Sequence, residues 1–290
     1  MHPAPSVIVF TVLSGMGFGL LIYLGAGVIR PGGWAAFAVW GLGYGLAVVG
    51  LVASTFHLGN PQRALLAFTQ WRSSWLSREA VLSVSALVVL APVALSDWLG
   101  LGIPRIFGML GAVLALATVL ATAMIYAQIK AVPRWHHWVT PVLFVAFALT
   151  GGAILAGLHL VAALCCLALV IVMRLGFILG DGQFSKAGQT LGSATGLDRI
   201  GRAEVFEWPH TGDNYLLREM IHVVARRHAD KLRVIAVALA GFLPAGIILL
   251  GQGVAGTVLA ALVHLAGAVV ARWLFFAEAE HVVGLYYGRR

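Results

Sequence analysis

Apolar residues in this chain are gathered into long, almost uncharged runs separated by short segments rich in glycine, proline and charge. A helix needs about 20 consecutive apolar residues to cross the hydrocarbon core of a bilayer. The runs predict about eight such helices, at residues 6–29, 34–56, 77–98, 106–129, 138–156, 158–179, 232–250 and 254–276. We therefore expect an all-α integral membrane protein, folded as a single membrane domain over residues 1–290.

The fifth and sixth helices share one apolar run, residues 138–179, so the pattern alone does not divide them clearly. We place the turn near Gly151–Gly157 because glycine favours turns. A seven-helix alternative joins the two as one long, tilted segment.

Composition excludes a soluble protein. Hydrophobic residues make up 60% of the chain, charged residues 10%, and the mean hydropathy is +0.94. A soluble domain has about 25% charged residues. Cys165 and Cys166 are adjacent within an apolar run, which makes a structural disulfide or a cysteine-based metal site implausible. No metal site is predicted, and any iron–sulfur cluster in an electron-transfer pathway would belong to a partner.

The longest polar stretch, residues 181–231, is predicted to be a loop of about fifty residues. Its second half, 214–233, has apolar residues at helical spacing with arginines and a lysine largely opposite, which predicts an amphipathic helix. Such a helix can lie in the lipid headgroup layer or form a docking surface for a soluble subunit, and the two interpretations are compatible.

Basic residues lie almost entirely on one side of the predicted topology. Eight spans put both termini on the same side, and only Arg30 and Arg105 of the 19 lysine and arginine residues fall on the other. That count includes Arg272, near the end of the last helix. The positive-inside rule then makes the basic side and both termini cytoplasmic. Nucleic acid is excluded as a partner because the charges follow the membrane ends.

The segment 54–80 carries the most distinctive polar residues. It leaves the second helix through His57, turns at Gly59-Asn60-Pro61, continues as a short amphipathic helix and re-enters the membrane at Trp75. Glu79 then lies in the first turns of the third helix. Ionisable groups at this depth are costly and usually functional. We expect His57 and Glu79 to converge at one interfacial pocket.

These residue types suit quinone chemistry, which moves two electrons and two protons. Histidine titrates near neutral pH and a buried carboxyl can be brought into that range, so both can exchange protons with quinone oxygens. The same segment offers cations to hold the carboxylate or orient the head group and flat aromatic walls: Arg63, Arg78, Trp71 and Trp75.

Structural interpretations of the same residues stay open at this stage. His57 can simply cap the second helix, and the tryptophans can belong to an interfacial belt. Glu79 can pair with Arg72 or Arg78 at the surface. Glu278, which follows the last helix, is most simply a residue of a solvated helix end.

Two histidines within spanning runs, His159 and His264, suggest a rival cofactor, haem b held by two histidines. A single buried histidine also often bonds to a neighbouring helix. Haem is therefore the less favoured cofactor.

Three strings resemble the DMSO reductase-type membrane anchor (DmsC) family: HLGNPQRA with SSWLSREA, DNYLLREM at 213–220, and ARWLFFAEAEHVVGLYY at 271–287. The resemblance implies an eight-helix, haem-free anchor that exchanges electrons with ubiquinone or menaquinone. It implies partners that carry the remaining cofactors, a four-cluster, ferredoxin-like iron–sulfur subunit and a molybdopterin catalytic subunit. The family's quinol-site histidine and glutamate correspond to His57 and Glu79, with Gly59 part of the same motif.

A cytoplasmic docking side resembles the anchor of the cytoplasmic sulfite dehydrogenase (quinone) complex more than that of exported sulfoxide reductases. We therefore expect a subunit of the bacterial inner membrane that reduces quinone with electrons from sulfite and is not a complete enzyme alone. The alternatives are a quinol-oxidising anchor of a DMSO or sulfoxide reductase, a purely structural anchor, and a transporter. A transporter would place more polar groups at mid-membrane.

Overall fold

The computed structural model describes residues 2–57, 60–207, 209–210, 212, 214–220, 228–251 and 253–288, without the side chains of residues 57, 61 and 219. Within these ranges the chain is helical and contains no β-strand. The predicted all-α membrane architecture is confirmed.

Eight long helices account for the apolar runs. They are α1 (Pro5–Gly25), α2 (Gly33–Ala53), α3 (Trp75–Leu99), α4 (Ile106–Ala127), α5 (Val139–Leu155), α6 (His159–Asp181), α7 (Ala229–Leu250) and α8 (Val254–Ala277). Seven of them are long and apolar enough to cross a membrane, and α5, with 17 residues, is a shorter apolar helix. Helix α7 contains one π-helical turn, Ala238–Phe242.

Glycines allow α1 to occupy the centre of the bundle, where 67% of its spanning segment is buried. A Cβ on Gly19 would lie 1.9 Å from the Ala148 carbonyl oxygen of α5, and one on Gly17 would lie 2.4 Å from the Ala47 amide nitrogen of α2. Membrane helices associate through such close backbone approach, since lipid removes most of the hydrophobic drive. Substitution of either glycine would force α1 away from its neighbours.

The run 138–179 is divided into two helices. Helix α5 ends at Leu155 and α6 begins at His159, with Gly157 between them at a φ of 67°. That left-handed conformation costs glycine little and other residues much more. The seven-helix alternative, one long tilted segment, does not occur.

Helix α1 ends at Gly25, before the predicted residue 29, with Gly27 at a φ of 70°.

The loops that follow α2, α4, α6 and α8 share one end of the bundle, here called the basic end. The Val282 amide donates to the Ala131 carbonyl at 2.9 Å, which joins the segment after α8 to the α4–α5 loop. A ring nitrogen of His210 lies 2.8 Å from the Tyr287 hydroxyl, which joins it to the α6–α7 loop. The grouping of loops on which the charge count depends is therefore present in the structure.

The 181–231 loop contains short helical segments, Gln183–Lys186, Leu191–Thr195 and Leu216–Met220. The last is a π-helical turn and belongs to the predicted amphipathic helix over 214–233. Residues 221–227 of that prediction lie outside the described residues.

Candidate functional site

The connection between α2 and α3 lies at the basic end and contains most of the predicted site residues. The backbone of His57 ends a 3-10 turn, Ser54–His57, that extends α2. The His57 side chain and all of Gly59 lie outside the described part of the chain. What the structure gives for these two residues is therefore the position of the His57 backbone.

After Asn60 the chain forms a 3-10 helix, Pro61–Phe68, with an exposed apolar face. Its exposed side chains are Leu65, Leu66 and Phe68, followed by Trp71. Arg63 is also exposed. Exposed apolar and aromatic residues at a membrane end are typical of the headgroup layer.

Arg78 lies on the outer surface of α3 and does not reach towards Glu79. Its guanidinium donates to the backbone carbonyls of Trp71, at 3.1 Å, and Arg72, at 2.7 Å. Its Cζ also lies 4.3 Å from the centroid of the Trp75 ring, in a cation–π contact. Arg78 thus fixes the re-entry turn before α3.

Glu79 points into the bundle. It is 4% exposed, and its Oε1 accepts a hydrogen bond from the Thr122 hydroxyl of α4. Glu79 lies on the buried face of α3 with Ser83, Ala86 and Leu90, which recur at helical spacing. The alternative in which Glu79 pairs with Arg72 or Arg78 at the surface is wrong.

Two further polar groups lie near Thr122. Tyr126 is buried one turn beyond it on α4, and Arg272 lines the same small cavity as Thr122. Arg272 of α8 is 3% exposed, and its Cζ lies 3.5 Å from the centroid of the Phe144 ring. The charge count placed Arg272 among the basic-side charges, but it is buried in the bundle because an aromatic wall covers its guanidinium.

Helix geometry puts Glu79, Thr122 and Arg272 at a similar depth. They lie four or five residues from the basic-end termini of α3, α4 and α8. At 1.5 Å per residue this corresponds to about 6–8 Å. A carboxyl, a hydroxyl and a guanidinium therefore occupy one interior layer close to the basic end. Sequence reasoning missed Thr122, Tyr126 and Arg272, although an arginine within the apolar run 271–277 is itself a signal.

His159 and His264 do not fit a shared haem. Both α6 and α8 begin at the end opposite the basic end; His159 is the first residue of α6, whereas His264 lies ten residues into α8. The two differ in depth by about 15 Å, so they cannot both ligate one iron. The cavity beside His264 is small: the centre of a water molecule can occupy only about 20 Å³ of it, which is room for about one water molecule.

A second polar cluster, the ion-pair network, lies at the basic end itself. Arg134 bonds Asp181 at 2.8 Å and Glu278 at 2.5 Å, while Arg233 bonds the same carboxylates at 2.5 and 2.6 Å. Glu278 is 7% exposed. Its interpretation as a solvated helix end is wrong, because partners 144 and 45 residues away in sequence cover it.

The described residues contain no group of three or more histidine, cysteine, aspartate or glutamate side chains placed to hold a metal ion. The structure thus brings Glu79 into contact with Thr122 and places Tyr126 and Arg272 in the same part of the bundle. It leaves Arg63 and Arg78 outside that group.

The chain was compared with protein families, with individual proteins and with solved structures. The family model of the DMSO reductase anchor subunit (DmsC) matches residues 1–278. The chain is 29% identical to a sulfite dehydrogenase subunit of Allochromatium vinosum, over 99% of both proteins. No solved structure matches the chain. The chain belongs to the DMSO reductase anchor subunit (DmsC) family.

Proposed function

We propose that this membrane anchor reduces quinone at the basic ends of α2 and α3, with electrons from an iron–sulfur subunit docked on that end. In this proposal a molybdopterin subunit oxidises sulfite with water to sulfate, which releases two electrons and two protons. Quinone takes up two electrons and two protons and leaves as quinol.

The observation that carries the proposal is the environment of Glu79. A carboxyl buried at membrane depth is expensive, and structural carboxyls normally find an ion pair there. Glu79 instead accepts from a neutral hydroxyl, Thr122, near the basic end of the bundle. A carboxyl in such a place can change its protonation without breaking an ion pair, which is what proton exchange with a substrate requires.

His57 is the proposed partner that meets the quinone oxygen. Its backbone ends the extension of α2 at the same end of the bundle at which α3 begins, four residues before Glu79. Histidine can donate or accept a proton near neutral pH. We assign His57 the bond to the quinone oxygen and Glu79 the relay of the proton.

The segment from Gly59 to Arg78 is the proposed wall of the site. Trp71 is 54% exposed and Trp75 lies beneath the Arg78 guanidinium. Flat rings here can hold the head group while the isoprenoid tail extends along lipid-facing helices. Arg63, exposed on the 3-10 helix, is assigned to orient the head group.

Photolabelling of the assembled complex in membranes tests the position of the site. A photoreactive quinone analogue should modify peptides within 57–79 and lose that labelling when excess ubiquinone or menaquinone is added. Labelling confined to α5–α8, or labelling that excess quinone does not displace, would contradict the position.

Orientation is a separate part of the proposal: the basic end faces the bacterial cytoplasm. Phe206→Cys, at a fully exposed loop residue of the basic end, should resist a membrane-impermeant thiol reagent in intact cells. Leu101→Cys, exposed at the other end, should react. The unsubstituted chain controls for Cys165 and Cys166. The opposite labelling pattern would favour an exported sulfoxide reductase, the runner-up suggested by the family's description.

A further inference from the structure

The interior of the bundle holds a small cavity, mostly apolar but with several polar side chains in its lining, that lies deeper than the proposed quinone site. It is lined by α1, α4, α5 and α8. Five lining residues have polar side chains: Thr11, Ser14, Thr122, His264 and Arg272. A cavity that stays empty in a protein is normally apolar throughout, whereas a cavity with room for water and two to four polar groups that can bond it normally holds water.

Helix α7 fixes the ring of His264 at this cavity. The π-helical turn Ala238–Phe242 presents the Ala240 carbonyl, and Nδ1 of His264 lies 2.7 Å from that oxygen. Since a carbonyl only accepts, Nδ1 carries the proton and Nε2 of the neutral ring is an acceptor. His264 is fully buried, and its Nε2 has no hydrogen-bond partner in the described part of the chain.

Arg272 supplies the complementary group. Arg272 and His264 are both on α8, eight residues apart, and both line the cavity. Phe147 contacts both residues, with the Arg272 Cζ 5.2 Å and the His264 ring 6.1 Å from its ring centroid. Nη1 of Arg272 is a buried donor that also lacks a partner within the described residues.

A buried donor and a buried acceptor left unpaired beside one cavity each cost free energy, unless water satisfies them. The space that a water centre can occupy in this cavity is about 20 Å³, which is enough for about one water molecule and too little for a quinone ring. One water can accept from Nη1 of Arg272, donate to Nε2 of His264, and donate to a lining hydroxyl.

We propose that this cavity is a hydrated site in which an ordered water joins Arg272 and His264 to Thr122, and so extends the hydrogen-bonded path of Glu79 into the bundle. Thr122 is the link, since its hydroxyl bonds Glu79 and also lines the cavity. Arg272 and His264 are then positioning residues for the water. The relay role rests on the proposed function of Glu79, whereas the presence of the water does not.

Radiolytic hydroxyl-radical labelling of the assembled complex tests the water directly. Radicals formed from a trapped water oxidise side chains next to it, and Met16 lines the cavity although it is only 5% exposed. Met16 should be labelled in the wild type and much less in His264→Phe, which removes the acceptor and fills space. Trp34, exposed at the end opposite the docking surface, is the positive control for bulk water. Labelling of Trp34 without labelling of Met16 would show a dry cavity and overturn the proposal.

The path is tested with a matched pair of threonines on α4. Thr122→Val keeps the side-chain shape but removes the hydroxyl that links Glu79 to the cavity. Thr118→Val is one turn away and also buried, and within the described residues its hydroxyl bonds just the Leu114 carbonyl. Thr122→Val should lower quinone-linked turnover by about tenfold or more, and Thr118→Val by less than about twofold, with dye-linked turnover unchanged in both.

Equal turnover of the two variants would overturn the path even if Met16 is labelled. The proposed function is judged separately by Glu79→Gln. Loss of quinone-linked turnover in Glu79→Gln without an effect of Thr122→Val rejects only the hydrated path. No effect of Glu79→Gln rejects the proposed role of Glu79 itself.

Discussion

Two polar clusters of this bundle use charge in opposite ways. In the ion-pair network every charge has an opposite partner: Arg134 and Arg233 share Asp181 and Glu278. In the interior layer Glu79 accepts from a hydroxyl, and Arg272 faces aromatic rings and a cavity. Neither of these two has a described ion pair.

The difference separates a structural cluster from one suited to chemistry. The network joins the α4–α5 loop, the end of α6, the start of α7 and the end of α8, so it holds together the surface on which a partner protein would dock. Breaking a buried pair is costly because the remaining charge stays buried. A group without an ion pair can change its protonation at lower cost. We therefore expect the network to contribute mainly stability, whereas the proposed function requires proton exchange in the interior layer.

The largest expected loss of stability comes from Glu278→Gln. Glu278 is 7% exposed and bonds both arginines, which would be left with one shared carboxylate. We expect a loss of about 3–5 kcal/mol in the free energy of unfolding, measured on the purified full chain in detergent. Quinone-linked turnover per assembled complex should change little. Full stability together with lost turnover would reverse the assignment of the two clusters.

A smaller loss is expected at the opposite end of the bundle. Asp97 bonds Arg105 at 2.7 Å and accepts from the Trp40 indole at 3.1 Å, but Arg105 is 33% exposed. Asp97→Asn should cost about 1.5–3 kcal/mol, the range for hydrogen bonds to a charged group. The same unfolding measurement checks it. A loss larger than that of Glu278→Gln would show that burial is not what makes the network strong.

The smallest effect is expected of Glu204→Gln. Glu204 pairs with Arg202 at 3.2 Å, but their side chains are 71% and 89% exposed. Exposed pairs contribute between about 0 and 1 kcal/mol because water screens them. This variant is the baseline for removing a carboxylate, and a loss comparable with that of Glu278→Gln would remove the contrast between exposed and buried pairs.

Hydropathy predicted most of the helices, because crossing a bilayer requires about 20 apolar residues whatever the neighbours are. Dividing the run 138–179 into α5 and α6 also required its glycines. It did not predict which way Glu79 points. The signal was present, since Glu79 shares a helical face with the small residues Ser83 and Ala86. The spacing of small residues along one helix does not, however, identify the neighbouring helix against which that face packs.

The ion-pair network was beyond sequence reasoning for a related reason. Arg134 and Glu278 are 144 positions apart, and only the packing of the bundle makes them neighbours. The orientation of His264 likewise depends on a π-helical turn in another helix, which apolar runs do not reveal. The sequence shows which polar residues are present, but only the folded structure shows which of them pair with each other.

Comparison of two electron acceptors tests the central claim most directly. Complexes carrying His57→Ala or Glu79→Gln are assayed with sulfite as donor and either quinone or a soluble dye as acceptor. His159→Ala, at a histidine of the opposite end of the bundle, is the control. Quinone-linked turnover should fall by about 100-fold or more in both variants, while dye-linked turnover and the control stay within about twofold of wild type. Equal loss with both acceptors, or no loss with quinone, would contradict the assignment of proton exchange to this end of the bundle.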